Sequence, residues 1–351
     1  MNRATLLGSE LPLIQAPMAG VQASALALAV SNAGALGSLP CAMLSPQAMR
    51  DELAALAGGT RQGPRERLAY NVNFFCHTPP APDAAREAAW RQALAPYYAE
   101  YGIDAQAIPP GPGRAPFSAE AAELLAQFRP AVVSFHFGLP PEALLASVRR
   151  LGAEILASAT TLEEARWLEA RGVDAIIAQG AEAGGHRGMF LTADPSTQLG
   201  TLALVPQIVK AVKLPVIAAG GIADTAGVAA ALALGAAGVQ VGTAYLLCPE
   251  ATTSAVHRAA LKSDAARHTA LTNLFTGRLA RGIMNRVMRE LGPVSAAAPE
   301  FPLATTAIAP LRAKAEAAGS GDFSPLWSGQ NASGCREIPA AELTRALMRA
   351  A

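Results

Sequence analysis

Short runs of Val, Ile and Leu recur along this chain, separated by stretches rich in Ala, Leu, Glu and Arg with apolar residues at helical spacing. That alternation predicts parallel α/β structure. Eight strands are predicted, at residues 13–16, 35–38, 68–74, 131–135, 154–158, 175–179, 216–219 and 238–241. Helices are predicted between most of them, at 24–32, 46–56, 141–151, 161–171, 201–212 and 225–234. Thr161, with Glu163 and Glu164 behind it, reads as an N-cap with acidic residues in the first turn. Gly172 and Gly235 stand where C-terminal caps belong.

Eight such units predict a TIM (β/α)8 barrel with a smaller helical substrate or lid subdomain. The barrel is placed at residues 1–247. It carries a helical insertion at about 76–128, because that stretch is too long for one crossover: a helical pattern at 82–101 is followed by a Pro/Gly-rich turn at 108–113. Residues 248–322 read as a helical subdomain over the barrel mouth. Residues 323–351 form a tail whose last part, 340–351, reads as a short amphipathic helix returning to the barrel wall.

Composition narrows the function classes. The 351 residues are 51% hydrophobic and 16% charged, and 28 Lys and Arg nearly cancel 27 Asp and Glu. With aromatics at 5% and basic residues scattered, no nucleic-acid footprint is expected. The longest apolar run, around 226–239, is too short to span a bilayer and is broken by glycine, and the N-terminus lacks a leader-like apolar core. A cytoplasmic protein that neither enters a membrane nor binds nucleic acid is expected. Monomer and homodimer both stay open. Cys41, Cys76, Cys248 and Cys335 lie far apart without metal spacing, so no metal site is expected.

The candidate chemistry gathers at strand ends. Gly220-Gly221 and Gly242-Thr243 close the last two strands. Successive glycine-lined ends of this kind make a phosphate cradle from backbone N–H groups and a helix N-terminus. In a (β/α)8 barrel those two loops commonly hold a cofactor phosphate, which points to a phosphorylated ligand and to a flavin. The first strand ends in Gln15-Ala-Pro-Met-Ala-Gly20, where Pro17 and Met18 open a small-residue turn on which a flat ring could lie. Asn71 and Asn73 point the same way along a strand and could pair with a heterocycle edge. They could equally be local turn or capping amides. His136 ends the fourth strand, either as an active-site group or as a satisfied core histidine. Gln179 ends the sixth, and Glu182, Gly184, Gly185, His186 and Arg187 follow in a loop whose glycines allow close backbone approach. His186 would stand over a ligand, with the charge of Arg187 nearby.

Together these strings resemble the nitronate monooxygenase family, formerly 2-nitropropane dioxygenases. The matching pieces are Gln15-Ala-Pro-Met-Ala-Gly20, Asn71-Val-Asn73, Ser134-Phe-His-Phe-Gly138, Gln179-Gly-Ala-Glu-Ala-Gly-Gly-His-Arg-Gly188, Ala219-Gly-Gly-Ile222 and Gln240-Val-Gly-Thr243. Leu326-Trp-Ser-Gly-Gln330 resembles the class I branch. The resemblance implies an FMN-binding barrel, with FMN held by Asn71, Gln179, Gly184, Gly221, Gln240, Val241, Gly242 and Thr243. It implies His186 as the catalytic histidine and His136 as a second active-site histidine. The implied reaction is oxidation of alkyl nitronates, such as propionate 3-nitronate, by O2. The tyrosines and lysine common in the class I substrate region have no clear match here, where Phe301 occupies a comparable segment. An FMN-dependent NAD(P)H:quinone or enoyl reductase on the same fold is the alternative, and a non-catalytic binder of a phosphorylated ligand is a third reading.

Overall fold

The computed structural model describes residues 6–59, 69–109 and 113–349. Outside them lie the first residues of the N-terminal stretch, Leu68 of the third predicted strand, the middle of the Pro/Gly-rich turn and the last two residues of the chain.

The described strands are β1 (Leu13–Gln15), β2 (Gly37–Pro40), β3 (Tyr70–Phe75), β4 (Val132–His136), β5 (Glu154–Ala159), β6 (Ala175–Gln179), β7 (Gly185–His186), β8 (Val216–Ala219), β9 (Gly238–Val241), β10 (Thr269–Thr272) and β11 (Ala280–Ile283). Eight of them pair in parallel in the order β1-β9-β8-β6-β5-β4-β3-β2. A parallel bridge between Ile14 and Leu36 joins the two edge strands and closes a TIM barrel. The outer helices are α1 (Ser24–Asn32), α2 (Pro46–Ala57), α4 (Ala119–Phe128), α5 (Glu142–Arg150), α6 (Leu162–Glu169), α7 (Thr201–Ala211) and α8 (Thr225–Ala233), with α3 (Ala84–Glu100) in the insertion. Thr161 caps α6 by accepting from the Glu164 N–H at 3.2 Å. Gly172 and Gly235, just past α6 and α8, take positive φ of 69° and 94°.

Strand alternation sorts the side chains into two environments. On β3, Tyr70, Val72 and Phe74 face outward into the strand–helix core, while Asn71 and Asn73 face inward. Deep inside, Ile14, Leu36, Val132, Leu156, Ile177 and Ile217 form an apolar plug. Nearer the C-terminal strand ends the interior turns polar, with Ser38, Asn71, Asn73, Ser134, Ser158 and Gln179. A closed apolar base under a polar mouth leaves the C-terminal face as the place for chemistry.

The stretch after β9 holds α9 (Ala255–Leu261), the hairpin β10–β11, α10 (Arg286–Glu290), α11 (Ala304–Ala317) and, after a long irregular segment, α12 (Ala340–Leu347). Residues 248–322, expected to be helical, therefore contain an antiparallel hairpin. Its strands are only four residues long, and β11 reads Ala-Arg-Gly-Ile, a composition that hides strand character. The hairpin pairs through β11 with β7, bringing Ala280 opposite His186 and Arg281 opposite Gly185. Insertion and post-barrel segment share one apolar core, which unites Trp90, Leu94, Tyr97 and Tyr98 of α3 with Phe275, Ile308, Leu311 and Phe323. Trp90 Nε1 donates to the Ala304 carbonyl at 3.1 Å, and the Tyr98 hydroxyl to that of Ala307 at 2.7 Å. Helix α12 packs against α1 and α8, the place an eighth outer helix takes.

Candidate active site

The loop after β6 is built around a buried cation. Arg187 is fully buried, and its guanidinium donates to the carbonyls of Gly180 at 2.7 Å and Gln179 at 2.8 Å and to Gln198 Oε1 at 3.0 Å. Its donors hold the loop's own carbonyls and it does not line the cavity, so its charge acts from behind the wall, on the cavity-lining His136. Glu182 likewise serves the frame. Its carboxylate accepts from the Thr201 N–H at 2.8 Å and from Thr201 Oγ1 at 2.8 Å, capping α7, whose own N-cap residue is a glycine. Gln179 spans the loop, donating to the His186 carbonyl at 3.0 Å and accepting from the Gly188 N–H at 2.7 Å.

These bonds aim His186 into a cavity at the barrel mouth. The cavity is lined by both histidines, by Pro17, Met18, Gln179, Gly184, Gly185, Gly220, Gly221, Gln240, Gly242 and Thr243, and by Asn73. Two expected ligands do not line it. Val241 faces the outer core, because consecutive strand residues alternate and Gln240 takes the inward position. Asn71 faces inward but one layer below. Its Nδ2 donates to Ser38 Oγ at 3.0 Å, while its buried Oδ1 has no partner. Of the amides near Met18–Gly20, that of Met18 is already engaged, donating to Gln22 Oε1 at 2.9 Å.

His186 sits among rings, with centroids of Phe75, Phe137, Phe301 and Trp327 at 6.1, 6.0, 5.3 and 5.6 Å. Its Nε2 is 2.9 Å from Thr276 Oγ1. His136 Nδ1 is 3.0 Å from Ser158 Oγ, and its Nε2 is 3.1 Å from the His186 carbonyl. Burial drives both imidazoles toward the neutral form. It holds His186 well below the ordinary range, with the charge of Arg114 adding to the fall, and takes His136 to about 3 against the opposing pull of the His186 carbonyl. His257, which also lines the cavity, is pushed by burial to about 4.

Those shifts carry a stability consequence. In the unfolded chain a histidine titrates near 6.5, so below that pH the unfolded chain takes up protons that His136 and His257 refuse in the fold. Stability is intact above pH 6.5 and falls by about 1.4 kcal/mol per pH unit per histidine as the pH drops toward 4. Urea unfolding at pH 7, 6 and 5 measures the slope, and His257→Gln is expected to remove one histidine's share. An unchanged slope in that variant would overturn the assignment.

The opposite wall suits an anion. The N–H groups of Gly184, Gly221 and Gly242 find no protein acceptor among the described residues. Gly220 and Gly221 have φ of 118° and 73°, which turns the backbone after β8 toward the cavity. The irregular segment near residue 329 closes this wall: Gly329 N donates to Thr243 Oγ1 at 2.9 Å, and Asn331 Nδ2 to the Gly221 carbonyl at 3.1 Å. A Cβ on Gly184 would stand 2.5 Å from Gly329 N, so the two backbones cross without room for a side chain. Buried Gln240 Oε1 is also unpartnered. Free amides on one side and orphaned amide oxygens below suit a group with a phosphate at one end and a hydrogen-bonding ring at the other.

The reading of the residues did not single out Arg114, Ser158, His257, Asn331 or the ring cage of Phe75, Phe137 and Trp327, all but Phe137 at the cavity wall. Most come from segments without strand or helix period. Only the strings holding Phe137 and Trp327 carried a signal, through their resemblance.

A family model described as nitronate monooxygenase matches residues 3–350. A nitronate monooxygenase from Pseudomonas aeruginosa is 44% identical over 98% of this chain and 97% of its own length. One from Paraburkholderia phytofirmans is 45% identical over 98% and 93%. Among solved structures, nitroalkane oxidase from Streptomyces ansochromogenes superposes with a TM-score of 0.86 at 39% identity, covering 97% of this chain and 95% of that one. A mutant of FabK from Thermotoga maritima follows at 0.68 and 25% identity, over 98% and 92%. With a match along nearly the whole chain and a barrel of the same architecture, the chain belongs to the nitronate monooxygenase family and is an oxidoreductase.

Proposed function

We propose that this protein is an FMN-dependent nitronate monooxygenase that oxidises alkyl nitronates, among them propionate 3-nitronate, with O2 to carbonyl compounds and nitrite or nitrate. The observation that carries the reading is the imidazole of His186, caged by aromatic rings and facing the same cavity as three unpaired backbone amides. FMN fits the unmet groups. Its phosphate suits the amides of Gly184, Gly221 and Gly242, and the edge of its ring suits the orphaned oxygen of Gln240 at the cavity wall. When bound, FMN supplies the redox chemistry, accepting electrons from substrate and returning them to O2.

The protein's own part is to orient, to exclude water and to move one proton. Thr276 Oγ1 can donate to the Arg278 carbonyl at 3.4 Å, which leaves it to accept from His186 Nε2–H at 2.9 Å. That tautomer frees the Nδ1 lone pair as the basic site. A nitronate is already a carbanion equivalent and needs no base. A neutral nitroalkane must first lose a proton from carbon, and an uncharged imidazole near neutral pH is suited to take it. The rings of Phe75, Phe301 and Trp327 keep water from that proton.

Mixing the FMN-loaded protein anaerobically with propionate 3-nitronate or with NADH tests the reading. Bleaching of the yellow absorbance by the nitronate and indifference to NADH are expected. Bleaching by NADH alone would replace the reading with the quinone or enoyl reductase one.

A further inference from the structure

One cation at the cavity has no task in this chemistry. Arg114, between α3 and α4, lines the cavity and is half-buried. It donates through one Nη to Thr305 Oγ1 at 2.9 Å, and its guanidinium carbon lies 5.8 Å from the centroid of the Phe301 ring. Thr305 Oγ1 in turn donates to the Phe275 carbonyl at 3.0 Å, which keeps a lone pair turned to the guanidinium. Burial, reinforced by Arg312, lowers the Arg114 pKa to about 10, so the group stays charged at neutral pH.

What it lacks is an anion. Two other arginines of the subdomain have carboxylates: Arg286 holds Glu100 and Glu290, and Arg312 holds Glu316. Arg278 stacks on Phe137 at 4.0 Å and donates to the Met189 carbonyl, and it does not line the cavity. Among the described residues, Arg114 has no carboxylate partner and no Asp or Glu lines the cavity. A guanidinium offers five donors, and one is used within the protein. Holding such a cation partly out of water is unfavourable unless a ligand brings the counter-charge.

We propose that Arg114 determines substrate specificity by binding a carboxylate at the far end of the nitronate, an inference that rests on the nitronate reading above. The imidazole of His186 and the guanidinium of Arg114 both pack on Phe301, at 5.3 and 5.8 Å from its centroid. Both groups line the one cavity, and a ligand that uses the base and the cation together must engage both. A short chain carrying a nitronate at one end and a carboxylate at the other can. The planar fork of arginine matches a carboxylate in two parallel hydrogen bonds, which a lysine cannot reproduce.

Arg114→Gln and Arg114→Lys in the FMN-loaded protein test this, with O2 consumption measured on propionate 3-nitronate and on butyl-1-nitronate, which lacks the second charge. For Arg114→Gln the KM for propionate 3-nitronate is expected to rise roughly 30-fold or more, with kcat little changed and the butyl-1-nitronate KM within about threefold. Arg114→Lys is expected to recover part of the loss. Equal rises on both nitronates would move the cation to the reacting end and overturn the proposal, as would no change on either. If the unaltered protein consumes O2 with neither nitronate, it is the functional reading that fails, and succinate binding by calorimetry then decides the role of Arg114. Binding that Arg114→Gln abolishes supports it, and absent or unaltered binding overturns it.

Discussion

A His186→Asn enzyme is expected to lose roughly 10²–10⁴-fold in kcat/KM on neutral nitroalkanes, while its activity on preformed nitronates falls far less. Asparagine keeps a polar amide where the ring stood but cannot accept a proton from carbon. The difference between the two substrates isolates proton removal from everything else His186 does. The neutral imidazole is what makes the base role available. Burial and the flanking charge of Arg114 hold the ring well below the ordinary histidine range, so it is already deprotonated at pH 7. Nitroalkane turnover should therefore show no loss attributable to His186 as the pH falls from 8 to 6. An imidazolium holding the nitro group would behave in the opposite way, with activity rising as the pH drops through 6. Steady-state O2 uptake on nitroethane and on ethyl nitronate, followed from pH 6 to 8, separates the two. Equal losses on both substrates in His186→Asn would remove the base role and leave an electrostatic or packing one.

The parts of this molecule legible in its sequence are those with a strict local period. Eight apolar strand patterns separated by helical ones were enough to expect the barrel, because each strand carries its own alternation and each crossover its own caps. Strand-end glycines were enough to expect the amide-lined wall, since positive φ at Gly220 and Gly221 is a backbone need that the residue type announces. Where the reading fell short, the cause was contact between segments far apart in the chain. Nothing in residues 82–101 says that Trp90 and Tyr98 pack on α11, some two hundred positions later. Arg187 shows the same limit in another form. A basic residue beside a glycine loop invites a ligand-binding role, yet its three acceptors are loop carbonyls and a glutamine that only the folded chain brings together. Arg114 is the converse: it has no motif around it, and only the position of Phe301 and Thr305 makes it part of the cavity.

Gly221→Val is expected to purify colourless and to bind added FMN at least 100-fold more weakly, a loss of about 2.7 kcal/mol or more. Two effects combine. At φ of 73° the residue occupies the left-handed region, where a β-branched side chain costs about 1–2 kcal/mol. A Cβ there would also lie 3.4 Å from the Glu182 Cβ, so the added methyls press on the residue that caps α7 through Thr201. Relief of either stress rotates the Gly221 N–H away from the cavity, and that amide has no other partner to hold it. Gly319→Val separates strain from site. Gly319 has a comparable φ of 77° and nothing within 4 Å of its would-be Cβ, and it lies outside the cavity wall. That variant should lose stability yet keep its colour. Thermal unfolding with and without FMN gives an independent reading: a ligand at a hundred times its Kd raises stability by about 2.7 kcal/mol, an increment expected in the unaltered protein and in Gly319→Val but reduced to about 0.4 kcal/mol or less in Gly221→Val. A yellow Gly221→Val protein with an unaltered Kd would mean that the phosphate is held elsewhere, and the reading of the glycine wall as its cradle would have to be abandoned.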